Sequence, residues 1–129
     1  MSVHRVLIVG ARRRKQGLGE FIAKYFHEQG AEVCGIVGTS SHSVENTARH
    51  LQQQYGIATQ GYTDLKPAIE QANPTVVVIA SPTGMHHPHL VTVAASGISC
   101  LCEKPLFWDD GRPVDPNEVE RLVDRFCGE

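Results

Sequence analysis

The chain has 129 residues, of which 41% are hydrophobic and 20% are charged, so we expect one folded domain and exclude both global disorder and a two-domain enzyme. Its formal net charge of −2 argues against binding to nucleic acid through charge alone. The apolar runs are far shorter than the ~20 residues of a transmembrane helix. The N-terminus lacks the apolar core and cleavage site of a signal peptide. We therefore expect a cytoplasmic protein with neither a membrane nor a nucleic acid as partner.

Four apolar runs predict the main strands of a sheet. They occupy residues 6–9, 33–37, 76–80 and 98–102, and a weaker strand is predicted over 57–60. The first and third runs are continuously apolar and rich in β-branched residues, which is typical of parallel strands that are buried on both faces.

Amphipathic stretches between these runs predict helices. The first helix carries an apolar stripe at helical spacing, made of Leu18, Phe21, Ile22, Tyr25 and Phe26. A second helix is predicted around residues 44–51, a short third helix after residue 64, and a fourth over 86–95. A fifth begins at residue 116, with a cap at residue 115. Alternating strands and helices predict an α/β fold, a doubly wound parallel sheet of the Rossmann type in a single domain, with ligands at the carboxyl ends of its strands.

A glycine-rich, basic loop separates the first predicted strand from the first helix. Gly10 allows a tight turn after the strand, and Gly17 and Gly19 allow a diphosphate to approach the backbone closely. The following helix offers free N–H groups and the positive end of its dipole. The predicted phosphate-binding residues of this loop are Gly10, Arg12, Arg13, Gly17, Leu18 and Gly19. The alternative is a flexible basic surface loop, because the spacing is not a clean GxGxxG.

The end of the second predicted strand lacks the acidic residue that usually holds the ribose hydroxyls of NAD. Gly38 occupies that position, and Thr39 and Ser40 follow it with hydroxyl groups. With no carboxylate to repel a 2′-phosphate, these three residues favour NADP over NAD, although NAD is not excluded. The alternative interpretation is a helix-capping cluster, in which Ser41 or Ser43 caps the second helix.

Two clusters contain cysteine or histidine residues, which are common metal ligands. Cys100 and Cys102 form a CxC inside an apolar run, which is not a zinc-ribbon spacing. His86, His87 and His89 have no carboxylate or thiol fixed beside them by the sequence. We therefore predict buried free thiols, histidines that line a cofactor or pack at a helix start, and no metal.

Two segments carry a resemblance to a known family. A Ser-Pro-Thr-Gly-Met-His stretch occupies 81–86, and Glu103-Lys104-Pro105 follows about one helix later. This spacing resembles the glucose–fructose oxidoreductase, inositol dehydrogenase and MocA (Gfo/Idh/MocA) family of oxidoreductases. The glycine loop at 10–19 is longer than the usual compact form in that family.

The resemblance implies roles for the residues of both segments. Lys104 would lie beside the nicotinamide and the substrate carbon and assist proton transfer as the catalytic residue. Glu103 would contact cofactor hydroxyls, and Pro105 would shape the turn. The residues implied to line the dinucleotide groove are Ser81, Pro82, Thr83 and His86.

The resemblance covers the nucleotide-binding half of the family, which corresponds to residues 1–129 as one NAD(P)-binding domain. The family's second domain, for substrate binding and oligomerisation, would follow after residue 129. We therefore expect a truncated chain, a fragment or a natural cofactor domain. It would bind a small-molecule substrate only if a second domain or a partner chain completes the site, and a homodimer is left open.

Three functional hypotheses follow. The first is the NADP-binding domain of an oxidoreductase that acts on a sugar-like or cyclitol-like alcohol. Alone it would be inactive or weakly active, so its status as an enzyme is left open. The second is a non-enzymatic module that senses nucleotides or binds a partner. The third is a coenzyme A binding domain, an analogy of fold only.

Overall fold

The computed structural model describes residues 4–10, 19–80, 86–102 and 116–126, and in these ranges strands and helices alternate along the chain. Their order is β1 (Arg5–Val9), α1 (Gly19–Glu28), β2 (Glu32–Val37), α2 (Ser41–Tyr55), β3 (Gly61–Tyr62), α3 (Leu65–Ala72), β4 (Val76–Ile79), α4 (His86–Ser96), β5 (Ser99–Cys102) and α5 (Pro116–Phe126). None of the described helices is long and apolar enough to cross a bilayer.

The described strands form one five-stranded, fully parallel sheet in the order β3-β2-β1-β4-β5. The first strand is central, because Val6 pairs with Val33 of β2 on one side and with Val76 of β4 on the other. The chain winds outward from β1 to β3 and then returns to place β4 on the opposite side of β1. This reversal is a topological switch point, and it confirms the predicted doubly wound α/β fold.

Burial on both faces explains the continuous apolar runs. Leu7 and Val9 point into a cluster beneath α3 and α4, whereas Val6 and Ile8 point into a cluster beneath α1 and α2. All four side chains are at most 2% exposed. A strand in this position needs apolar residues at every register position, as its sequence predicted.

The weak strand predicted over 57–60 is wrong in position. The short strand β3 lies at Gly61–Tyr62, after a segment that leaves α2 through the left-handed cap Gly56. Ile57 is only 1% exposed because it packs into the cluster beneath α1 and α2 instead of pairing in the sheet. Ladder bonds to β2 begin only where Ile36 N–H donates to the carbonyl of Gln60 at 2.9 Å.

The apolar stripe predicted for α1 is shifted around the helix. Phe21 and Tyr25 are 44% and 59% exposed, whereas Ala23 is fully buried and Ile22 and Phe26 pack against the sheet. The small side chain of Ala23 lets the helix lie close to the strands, and this turns the two large aromatic residues outward. Leu18, the first residue of the predicted stripe, lies outside the described residues.

One charged side chain is buried between α1 and α2. Glu20 is 5% exposed, and its Oε1 accepts a hydrogen bond from the Tyr55 hydroxyl at 2.8 Å. The same oxygen lies 2.6 Å from Nε2 of His50, which is half-exposed. A buried carboxylate needs such partners, so this cluster ties the start of α1 to the second half of α2.

The three described cysteines are free and only partly buried, which corrects the prediction of full burial. Cys34, Cys100 and Cys102 pack against the cluster beneath α3 and α4. Desolvation, with a smaller contribution from neighbouring Cys102, raises the pKa of the Cys100 thiol from 9.0 to about 12. Desolvation also raises the pKa of Cys34. Cys127 lies outside the described residues.

The Tyr55→Phe variant tests the buried carboxylate. We expect it to lower the free energy of unfolding by about 1.5–3 kcal/mol, the usual contribution of a hydrogen bond to a charged group. Tyr25→Phe removes a hydroxyl from a 59% exposed ring on the partner helix and serves as the matched control. Chemical denaturation should place the control within about 0.5 kcal/mol of the wild type. Equal effects of the two variants would contradict a stabilising role for the Tyr55–Glu20 hydrogen bond.

The raised pKa of Cys100 predicts slow alkylation. At pH 8 its thiolate fraction, and hence its rate with iodoacetamide, should be about a thousandfold below that of the unfolded chain, following the shift from 9.0 to about 12. The Cys100 thiol ionises at a lower pH in the unfolded chain than in the folded one. The contribution of Cys100 to the free energy of unfolding therefore falls as pH rises from about 9 to about 12. Peptide mass spectrometry of native and urea-treated protein measures the rates, and equal rates would refute the shift.

Candidate nucleotide-binding site

A cleft of about 600 Å³ opens at the carboxyl ends of β1, β2 and β3, beside the switch point. The turns after these strands form one wall, and the first turns of α3 and α4 form the other. The lining residues are Val9, Gly10, Val37, Gly38, Thr39, Thr63, Asp64, Leu65, Lys66, Pro67, Pro88, His89 and Thr92. This is where a doubly wound sheet binds its ligand.

Gly10 makes the turn that the sequence predicted at the end of β1. Its φ of 86° lies in the left-handed region, where a side chain is strained. Its N–H donates to the carbonyl of Val37 at 3.0 Å, so the backbone stays in the sheet until it turns into the cleft. Gly19 is the first residue of α1. The remaining predicted loop residues, Arg12, Arg13, Gly17 and Leu18, lie outside the described residues.

The end of β2 places Gly38 and Thr39 on the cleft. Gly38 N–H donates to the carbonyl of Tyr62 at 3.0 Å, which extends the ladder one residue beyond the strand. Thr39 is exposed, and no carboxylate lies at positions 38–40. The geometry therefore leaves this rim free of negative charge from its own residues.

Ser40 caps α2, which corrects the expectation that Ser41 or Ser43 would do so. Its Oγ accepts a hydrogen bond from Ser43 N–H at 3.2 Å, and its backbone is extended at φ −147° and ψ 154°. Ser41 is the first residue of the helix, and Ser43 supplies the donor. The capping oxygen acts as an acceptor, so the hydroxyl hydrogen of Ser40 can still be donated to a ligand.

Some residues of the cleft were missed by the sequence analysis. Asp64 is the N-cap residue of α3 but makes no side-chain capping bond, and Lys66 is exposed in the first turn of that helix. Thr92 of α4 was missed too, whereas His89 of the same helix lines the cleft and had been predicted to line a cofactor or to pack at the helix start. The short helix predicted after residue 64 was the available signal for the first pair. No local pattern marks residues within a helix as cleft-lining.

A second cleft, of about 620 Å³, lies at the β3 edge between α2 and α3. Its lining includes Glu45 and Arg49 of α2 but no residue of β1 or β4. It is therefore displaced from the switch point, and position favours the first cleft as the nucleotide site, although the two volumes are similar.

The two segments that carry the family resemblance fall mostly outside the described residues. These are Ser81, Pro82, Thr83, Glu103, Lys104 and Pro105. The backbone of His86 begins α4, but its side chain is not described. The strands that precede the two segments, β4 and β5, end in register at Ile79 and Cys102, and Ile79 also pairs with Val9 at the end of β1.

Comparison with known proteins is consistent with this geometry. A family model described as "Oxidoreductase family, NAD-binding Rossmann fold" matches residues 4–126. Inositol 2-dehydrogenase of Leifsonia xyli subsp. xyli is 34% identical over 67 residues, which are 52% of this chain and 20% of that protein. The chain therefore spans only a small part of the curated relatives it matches.

Two solved structures show the same architecture. The myo-inositol 2-dehydrogenase of Lactobacillus plantarum superposes with a TM-score of 0.73 at 26% identity, over 98% of this chain and 33% of that one. The myo-inositol dehydrogenase of Lactobacillus casei, solved with NAD(H) and myo-inositol, has a TM-score of 0.74 at 18% identity, over 99% and 34% of the two chains. Since the family model spans nearly the whole chain, the protein belongs to the Gfo/Idh/MocA family of oxidoreductases and carries its NAD-binding Rossmann fold.

Proposed function

We propose that this chain is the NADP(H)-binding domain of an oxidoreductase that moves hydride to or from a sugar-like or cyclitol-like alcohol. The observation that carries the cofactor preference is the rim at the end of β2, where Thr39 and Ser40 carry hydroxyls and Gly38 takes the place of a carboxylate. The substrate class rests on the family and on relatives named as inositol dehydrogenases. The substrate pocket would come from a second domain or from a partner chain.

The described residues fit a dinucleotide. The left-handed turn at Gly10 and the start of α1 lie at the switch point, where backbone N–H groups and the helix dipole favour a diphosphate. A cleft of about 600 Å³ is within the size range of small-molecule and cofactor sites. In this proposal Arg12 and Arg13 add positive charge near the same phosphates.

The preference for NADP follows from charge and hydrogen bonding. An acidic side chain after β2 would hold the ribose hydroxyls of NAD and repel a 2′-phosphate. Here Thr39 lines the cleft, and the neighbouring Ser40 retains a hydroxyl hydrogen to donate while its oxygen caps α2. Lys66 and Asp64 both line this cleft, so their opposite charges offset each other. The hydroxyls of the rim, with no carboxylate at positions 38–40, therefore favour the phosphate that distinguishes NADP.

Lys104 is the proposed catalytic residue. It follows the last residue of β5 by two positions in the sequence and lies outside the described residues. A bound nicotinamide would supply the hydride chemistry at the alcohol carbon. The amine of Lys104 would hydrogen-bond the alcohol oxygen and move its proton, because a desolvated lysine approaches neutrality and can act as a base. Glu103 and Pro105 would contact cofactor hydroxyls and shape the turn.

Thermal unfolding with NADP, NAD and coenzyme A at equal concentrations tests the cofactor. A ligand present at a hundred times its Kd adds about 2.7 kcal/mol of stability, and a tenfold weaker ligand adds about 1.4 kcal/mol less. We expect NADP to raise the Tm most, NAD less, and coenzyme A not at all. A larger shift with NAD would refute the NADP preference, and a shift with coenzyme A alone would refute dinucleotide binding.

Two matched variants at Thr39 test whether the 2′-phosphate of NADP lies beside this residue. Thr39→Glu introduces a carboxylate at the rim, and Thr39→Gln introduces a neutral group of the same shape. Repulsion should weaken NADP about tenfold more in the Glu variant than in the Gln variant, an effect of about 1.4 kcal/mol, whereas NAD should bind the Glu variant at least as tightly as the Gln variant. If the two variants weaken NADP equally, the 2′-phosphate does not lie beside Thr39.

The Lys104→Met variant tests the role of this residue, in the protein expressed from the open reading frame that contains this chain. With myo-inositol and related cyclic polyols as substrates, we expect kcat to fall by about 10²–10⁴-fold, as for the loss of a general base. The limb of the pH–rate profile that reports the lysine should disappear with it. A kcat within threefold of the wild type would refute the role of Lys104. A protein that binds NADP but turns over no polyol would favour the non-enzymatic alternative.

A further inference from the structure

In the first turn of α2, Val44 packs closely against two glycines of the sheet, Gly38 and Gly61. A Cβ atom added to Gly38 would lie 2.5 Å from Cγ1 of Val44. A Cβ atom added to Gly61 would lie 3.0 Å from the Cγ2 atom of the same valine. The two methyl groups of Val44 therefore fill the space that side chains directly after β2 and at the start of β3 would occupy.

The side chain of Val44 cannot easily move away from these glycines. It is 5% exposed, and a β-branched side chain in a helix is held in one main rotamer. Its N–H donates to the carbonyl of Ser40 at 3.0 Å, and the Ser40 hydroxyl caps the same turn. A shift of Val44 away from the rim would therefore disturb the cap of α2 as well.

We propose that Val44 is a positioning residue for cofactor specificity, which keeps position 38 without a side chain. This inference rests on the proposed preference for NADP. The residue that would hold the ribose of NAD is an acid directly after β2, and the Cγ1 methyl of Val44 occupies the place where such a side chain would begin. The cofactor choice is thus set by the packing of α2 against the sheet as well as by the residue at the rim.

Replacing Val44 with alanine should relieve the steric clash with a side chain at position 38. The Cβ atom of residue 44 would lie 3.8 Å from a Cβ atom at position 38, which is ordinary van der Waals contact, whereas the Cγ1 atom of valine would lie at 2.5 Å. We therefore expect Gly38→Asp alone to disrupt the rim instead of switching the cofactor. The double variant G38D/V44A has room for the carboxylate.

The experiment first measures packing through the Tm of the cofactor-free chain. G38A adds only the Cβ atom, so the set is wild type, G38A, V44A and G38A/V44A. We expect G38A to lower the Tm by about 5 °C or more, as an overpacked site does. In the V44A background the same change should have less than half that effect. Additive Tm changes, or a double variant that folds no better than G38A, would overturn the inference.

The second measurement is the ratio of the Kd values for NAD and NADP. G38D/V44A is compared with G38N/V44A, in which asparagine has the shape of aspartate without its charge. We expect G38D/V44A to favour NAD at least tenfold more than G38N/V44A does, and G38D alone to lose affinity for both cofactors. If G38D alone folds like the wild type and switches the preference, Val44 is not the determinant.

The two proposals fail in different ways. A wild-type chain that prefers NAD overturns the proposed NADP preference, and with it the specificity role of Val44, even when the Tm changes are coupled. A wild-type chain that prefers NADP while G38A and V44A act additively overturns only the role of Val44.

Discussion

The burial of β1 on both faces is the constraint that the rest of the molecule depends on. Val6, Leu7 and Ile8 are fully buried, and each such side chain contributes roughly 1.5–3 kcal/mol relative to exposure. The sheet is built outward from this central strand, because β2 pairs with it on one side and β4 on the other. Ladder bonds continue to Gly10 and Ala80 at the strand ends, at 3.0 and 2.8 Å. The carboxyl ends are therefore aligned before any ligand binds, and the cleft is a consequence of the core.

Packing between α1 and α2 links the two ends of the proposed cofactor site. The first turn of α1 follows the glycine loop, and the first turn of α2 borders the rim proposed for the 2′-phosphate. Glu20 is held by Tyr55 and His50 near the other end of α2, while Val44 presses that helix onto the rim. A buried carboxylate and a tight methyl contact both resist displacement, since each has a large cost when it is disturbed. The separation of the two helix starts is thus set by one contact at the rim and one between the helices near the other end of α2.

The fold was predictable because its signal is local, whereas parts of the site depend on contacts between distant residues. Continuous apolar runs located β1 and β4, because a strand buried on both faces accepts little else. The less regular runs of β2 and β5 were apolar enough to be recognised, although Leu101 of the edge strand β5 is 51% exposed. The strand near residue 57 was misplaced because Ile57 is apolar for a different reason, its contact with the opposite side of the core. The serine that caps α2 could not be chosen among three neighbours from sequence, because the choice depends on where the backbone turns. Roles for Lys104 and its neighbours came from resemblance alone and stay predictions.

The pair formed by Gly38 and Val44 shows how a rim residue and a core residue constrain each other. The absence of an acid after β2 is visible in the sequence, and charge alone accounts for the favoured phosphate. Charge does not explain how the volume left by the missing side chain is used. In a protein interior packed to crystal-like density an unfilled space of methyl size is costly, and here Val44 fills it. A glycine at the rim and a branched residue six positions later then form one unit, in which neither can change size alone without loss. Cofactor preference in such a site depends on both residues of this packing unit. A carboxylate introduced at position 38 must therefore be accompanied by a smaller residue at position 44.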